Sequence, residues 1–169
     1  ENLPLLMGMI YLDPNPKLKD PEKAIKYFEE QAQRYPNSKY TADATAQKAQ
    51  ALIDLQRFDE AQKVLDGFLA GNPTEEQRVA AEFSKAVLLM QTQKLDDALN
   101  AFRAVRDRYT GTGQAEAAAY YYAQLLLQKG DAKGAIEEVK GFIARFPNSE
   151  QLPQAYYLQA SAHNSLGNK

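Results

Sequence analysis

The sequence contains no cysteine, which removes disulfide frameworks, thiolate nucleophiles and cysteine-ligated zinc from consideration. Its only histidine is His163, so a metal centre built from several imidazoles is excluded, and any serine–histidine–carboxylate set would need this one ring placed by a third group. Charge of one sign is also missing. Lys and Arg number 20 against 22 Asp and Glu, a net charge of −2. That balance gives no field to gather nucleic acid. No apolar run approaches the roughly 18 residues needed to cross a bilayer, so no membrane insertion by this segment is expected. The glycines are scattered and form no phosphate-cradling cluster. Catalytic residues, metal ligands and cofactors are each expected to be none. The chain begins at Glu1 rather than Met, so a removed leader or a longer parent chain is expected, and any targeting signal is out of view.

What the sequence does contain is a repeat. Ala24, Ala61, Ala98 and Ala135 lie 37 residues apart. Phe28, Leu65, Phe102 and Val139 follow each alanine by four, and Pro36, Pro73 and Pro147 follow by twelve, with Thr110 in the third place. A second alanine column runs Ala49, Ala86, Ala123, Ala160. The phrases "RYPNSKY" and "RFPNSEQ" are therefore three periods apart. Within each period, apolar residues recur at three- and four-residue spacing, which marks two helices and no strand. Helices are expected at about 2–12, 20–35, 39–56, 58–71, 75–93, 95–109, 114–129, 132–145 and 150–166. The alanine columns suit close helix crossings, because short side chains let antiparallel helices approach. Ser38 and Ser149 are expected as helix N-caps, and Thr74 with Gln77 has the spacing of a capping box.

These columns resemble the tetratricopeptide repeat (TPR) family. Its pattern of small, aliphatic or aromatic, alanine, aromatic and proline positions is matched by Ala49, Leu52, Ala61, Leu65 and Pro73, by Ala86, Leu89, Ala98 and Phe102, and by Ala123, Leu126, Ala135 and Pro147. Gly8, Tyr11, Ala24, Phe28 and Pro36 match in the first repeat, across a longer gap filled by "DPNPKLKD". The period of 37 exceeds the family's, and the added residues follow the proline. The resemblance implies one all-α domain over 1–169. It would be a right-handed α-solenoid of about 4.5 repeats: 1–37, 38–74, 75–111, 112–148 and a half repeat 149–169. The last helix then acts as a cap, or the chain belongs to a longer array. The "YPNSKYTADA" type of junction is similar to the bacterial envelope subgroup of TPR proteins, of which BamD and CpoB are examples. That likeness implies a periplasmic or outer-membrane-associated location, with the cytoplasm as the alternative.

Little in the chain could carry chemistry. His163 occupies the column of Tyr11, Leu52, Leu89 and Leu126, a packing position. Asp59-Glu60 and Asp96-Asp97 sit where carboxylates favour the positive end of a helix, and "RAVRDRY" at 103–109 is expected as a solvated outer face. The family binds ligands on its first helices. Carrying those columns over gives a concave, partner-binding set of Phe83, Val87, Met90, Tyr120, Tyr121, Gln124 and Tyr157, almost free of charge. Tyrosine and methionine suit binding because they offer large, adaptable contact area. The stretch "AAAYYYAQLLL" has two readings: Tyr120 and Tyr121 are partner contacts, or they pack on the adjoining repeat. The Lys and Asn clamp of carboxylate-binding TPRs is absent, since Ala46, Gln47 and Gln50 hold those columns. The expectation is a non-enzymatic scaffold binding a protein or peptide partner in the groove. The alternative is an assembly protein that self-associates through repeat ends or its outer face.

Overall fold

A computed structural model of the chain describes residues 1–167. These form α1 (Leu3–Tyr11), α2 (Pro21–Arg34), α3 (Tyr40–Asp54), α4 (Phe58–Ala70), α5 (Glu75–Gln91), α6 (Leu95–Arg108), α7 (Gly113–Gln128), α8 (Ala132–Arg145) and α9 (Leu152–Ser165), with no strand among the described residues. Every helix lies within two residues of the bounds the periodicity gives. The class is the all-α, helix-turn-helix repeat class. The chain divides into two compact units, Glu1–Gln93 and Lys94–Lys169, so the boundary falls inside the third repeat.

In the first unit consecutive helices pack on one another from α1 to α5, and the first helices also meet each other, α1 on α3 and α3 on α5. In the second unit α6 to α9 pack in the same sequential way, with α7 meeting α9. The alanine columns explain the close packing. Ala24, Ala61, Ala98 and Ala135 are all fully buried, as are Ala49, Ala86 and Ala123. Phe28, Leu65, Phe102 and Val139, four residues on, are buried beside them. A methyl at the crossing and a larger apolar group one turn later gives each helix pair a small-against-large fit.

The turn from first to second helix has its own periodic feature. Gln56, Gln93, Gly130 and Gly167 have φ values of 58°, 59°, 86° and 71°. All four lie in the left-handed region, and they are spaced by 37 residues. Glycine takes that conformation without penalty, whereas a glutamine there crowds its own Cβ against the backbone. The loop "DPNPKLKD" is tied by two side chains: Asp13 accepts from the Asn15 N–H and Asn15 from the Lys17 N–H.

The capping box is present. Thr74 Oγ1 accepts from the Gln77 N–H at 3.3 Å, and Gln77 Oε1 accepts from the Thr74 N–H at 3.0 Å. Thr74→Ala is expected to lower stability by about 0.5–2 kcal/mol. An unchanged urea midpoint would show that α5 needs no cap. The two serines differ from expectation. The residues at the N-cap positions are Lys39 and Gln151. Ser38 and Ser149 instead accept from the N–H two residues on, those of Tyr40 and Gln151, and their carbonyls accept from Thr41 and Leu152 three residues on. The residues that lengthen the period thus form a tight hydrogen-bonded turn ahead of α3 and α9, while ahead of α5 the same register is already helical.

Candidate functional site

The carried-over columns fall on α5, α7 and α9, each element taken within its own unit. On α5, in the first unit, Phe83 and Met90 are half-buried and Val87 is buried. Phe83 and Met90 are one helical repeat of seven apart, so they share a side of the helix. On α7, Gln124 is exposed and Tyr120 and Tyr121 are half-buried. On α9, Tyr157 is 77% exposed.

Tyr120 and Tyr121 are both half-buried, and each ring has a structural neighbour. Tyr121 stacks on Phe102 of α6 with ring centroids 5.3 Å apart and planes 22° off parallel. Tyr120 meets Tyr121 edge-on at 5.8 Å and Phe142 of α8 at 6.4 Å. It packs against the cluster of Ala119, Ala123, Val139, Phe142, Ala155 and Leu158. Burial, with Tyr121 as a lesser cause, pushes the Tyr120 hydroxyl above the ordinary tyrosine value, so it stays a neutral hydrogen-bonding group. The third tyrosine points elsewhere. The Arg106 guanidinium lies 4.8 Å from the centre of the Tyr122 ring.

That contact corrects the expectation for "RAVRDRY". Arg103 and Arg108 are exposed, but Arg106 is largely covered. Its Nη1 pairs with Glu138 at 2.7 Å, and its Nε pairs with Asp107 at 2.7 Å. Glu138 also accepts from Arg145 at 2.8 Å. A long aliphatic stem lets arginine lie along apolar surface while its planar head bridges α6, α7 and α8.

Two surfaces escaped the sequence reading. One is the outer side of α1, where Leu3, Leu6, Met9 and Ile10 are exposed, Leu3 to 66%. The signal was available: "LPLLMGMIY" has no charged residue, and a helix apolar on all sides leaves some of that surface bare unless both sides are covered. The other is an open groove of about 800 Å³ in the first unit, lined in part by Phe28, Thr45, Lys48, Val64, Phe68 and Thr74. Lys48 and Glu29, both in its wall, pair across two helices at 2.9 Å. The groove is assembled from several helices, so no local motif announces it. Among the described residues no cluster of three His, Asp or Glu has the arrangement of a metal site, and no helix is long and apolar enough to cross a membrane. His163 is half-buried on α9.

Comparison with known proteins bears on the same segments. The tetratricopeptide repeat family matches residues 83–150. The YfiO family, described as outer membrane lipoprotein, matches residues 15–95. No curated protein sequence matches the chain. Among solved structures, one similar fold is a variant of a kinesin-light-chain-like protein of Podosopora anserina with nearly identical TPR-like repeats. Its TM-score is 0.74 at 14% identity, over 98% of this chain and 86% of that one. MamA from residue 41 onward of Desulfovibrio magneticus RS-1 is similar with a TM-score of 0.63 at 18% identity, over 99% of this chain and 89% of that one. A MamA RS-1 double mutant, ArsTM, gives 0.61 at 17% identity, over 99% of this chain and 90% of that one. The 37-residue columns, the buried alanine crossings, the family match over residues 83–150 and these folds agree: the chain has the fold of tetratricopeptide repeat proteins, and residues 83–150 carry that family's pattern.

Proposed function

We propose that the chain is a non-enzymatic scaffold whose first-helix faces bind a peptide or helix of a partner protein. Residues 1–169 act in this reading as one repeat domain, with Phe83, Val87 and Met90 as the partner-facing residues of the first unit and Tyr120, Tyr121, Gln124 and Tyr157 as those of the second. The observation that carries it is Tyr157, a large ring left 77% exposed on a helix whose neighbouring side is buried. A rigid aromatic of that kind gives contact area at small entropic cost. The match of residues 15–95 to an outer membrane lipoprotein family supports a place in a bacterial envelope complex, periplasmic or attached to the outer membrane.

The test is a peptide screen followed by titration of the best binder. Tyr157→Ala and Met90→Ala are expected to weaken binding by at least about tenfold, and the exposed Arg103→Ala by much less. Tyr157 is the better probe, since truncating Tyr121 would also remove its stacking on Phe102. The affinity is expected to change little between low and high salt, because screening acts on charge and these columns hold almost none. Steep salt dependence, or full binding by the Tyr157→Ala variant, would place the site elsewhere.

A second reading, self-association, is favoured by the exposed stripe Leu3, Leu6, Met9 and Ile10 on α1. Sedimentation across a concentration range, with Leu6→Glu as the variant, separates it from the first.

A further inference from the structure

The groove of about 800 Å³ in the first unit is lined by residues of α2, α3 and α4 and of the turns that follow α2 and α4. Phe83, Val87 and Met90 take no part in it. The second unit shows what the repeat can place at the same positions. Two periods on, Ala32, Lys48, Val64 and Gly71 are replaced by Arg106, Tyr122, Glu138 and Arg145. Those four side chains meet one another. The Arg106 guanidinium lies over the Tyr122 ring, and its Nη1 donates to Glu138 Oε2 at 2.7 Å. Arg145 Nη2 donates to Glu138 Oε1 at 2.8 Å. Two guanidinium groups thus share one carboxylate between α6, α7 and α8. In the first unit three of the four positions hold small or aliphatic residues, and the space stays open.

Gly71 is the sharpest difference. Its column holds Arg34, Arg108 and Arg145 in the other repeats, and α2, α6 and α8 each have a basic residue in the last turn. Among these second helices α4 alone has none. The last carbonyls of a helix carry partial negative charge and favour a cation beside them. At α4 that end opens on the groove, next to Phe68 and across from Glu29. Glu29 is 44% exposed and its ion-pair partner Lys48 only 19%, so the carboxylate is the more accessible half of the pair. A carboxylate accepts more than one cationic donor, as Glu138 does. The fold itself does not demand the bare wall. A Cβ at Gly67 would meet nothing within 4 Å, and Gly71 has an ordinary φ of −72°, although glycine inside a helix costs about 1 kcal/mol relative to alanine.

We propose that this groove binds an arginine side chain of a partner polypeptide, its guanidinium seated at the end of α4 where Gly71 leaves the arginine column open. The planar head donates to the last carbonyls of α4 and to Glu29, and the Phe68 ring offers a face for it to stack on. Pockets of about 300–1,000 Å³ hold ligands larger than one side chain, so the groove also admits the residues that flank the arginine. The amides of Gln33, Asn37 and Asn72 in its lining suit the backbone of such a segment.

The probe is the capped peptide acetyl-Ala-Arg-Ala-amide, titrated into the ¹⁵N-labelled chain and followed by amide chemical shifts. Saturable shifts are expected at Thr45, Lys48, Gly67 and Gly71. The same peptide with citrulline, which keeps the shape and removes the charge, is expected to bind at least about fivefold more weakly. Free arginine, with charged termini and no flanking residues, is expected to bind more weakly than the capped peptide. Gly71→Arg restores the column's own residue at an exposed position and is expected to abolish binding with an unchanged urea midpoint, whereas Gly71→Ala binds like the parent. Glu29→Gln is expected to weaken binding by about threefold or more. Met90→Ala and Tyr157→Ala leave it unchanged, which separates this site from the scaffold reading above. The proposal is overturned by absence of saturable shifts up to about 20 mM, by equal binding of the citrulline peptide, by free arginine binding as tightly as the capped peptide, or by full binding to the Gly71→Arg variant.

Discussion

Phe28→Ala is expected to destabilise the first unit by about 3–5 kcal/mol, the range for removing a buried aromatic ring. The ring is 1% exposed and sits in a cluster with Leu5, Ala24 and Ala44, drawn from α1, α2 and α3. One position makes the fit unusually tight. Gly8 of α1 lies under the ring, and a Cβ built there would stand 2.3 Å from Phe28 Cε1. Glycine normally weakens a helix interior by about 1 kcal/mol relative to alanine, so its presence in α1 reflects the space the ring needs. The same two columns hold Ala49 with Leu65, Ala86 with Phe102 and Ala123 with Val139 in later repeats, so alanine is accommodated beside a phenylalanine elsewhere and the tight contact at Gly8 is particular to the first repeat. Gly8→Ala should therefore overpack the crossing, and Phe28→Leu should relieve it. The double variant is expected to be more stable than the sum of the single changes, with a coupling of about 0.5–3 kcal/mol. Urea unfolding followed by circular dichroism measures all four members of the cycle. Strict additivity would mean that the ring does not rest on Gly8.

This pair also shows where the sequence was informative. Periodicity set the helices and their bounds, because each repeat must bury an apolar stripe and the stripe recurs every 37 residues. Register identified Ala24, Ala61, Ala98 and Ala135 as crossings, and each is fully buried. Other features depend on which neighbour a side chain meets. Nothing in "YYY" distinguishes Tyr121, stacked on Phe102, from Tyr122, under Arg106; the rotation of α7 against α6 and α8 decides it. The left-handed turn was hidden for a different reason. Glycine marks it at Gly130 and Gly167, but glutamine holds the same conformation at Gln56 and Gln93, so composition alone could not reveal a column. The exposed stripe on α1 was hidden for a third reason: a hydrophobic pattern records what a helix would bury without recording what covers it.

Replacing Gln31 by leucine is expected to raise stability by about 1–3 kcal/mol, the cost of a buried polar group left without a partner. Gln31 is seven residues beyond Ala24 on α2. The corresponding residues on α4, α6 and α8 are Phe68, Val105 and Phe142. The amide therefore occupies a column that is apolar everywhere else. It is 0% exposed, and neither its Nε2 nor its Oε1 has a hydrogen-bond partner among the described residues. Taking an amide out of water without replacing its hydrogen bonds is unfavourable, whereas leucine of similar length would fill the space with apolar surface. Overpacking works against the gain if the branched side chain does not fit. Gln31→Met, which keeps an unbranched chain, is the control for shape. Both variants are compared by urea midpoint and thermal unfolding. A higher midpoint for either assigns Gln31 a destabilising role within the repeat. A fall of about 1 kcal/mol or more in both, on the order of a lost hydrogen bond, would show that the amide is paired in solution and that polar pairing holds α2 in place.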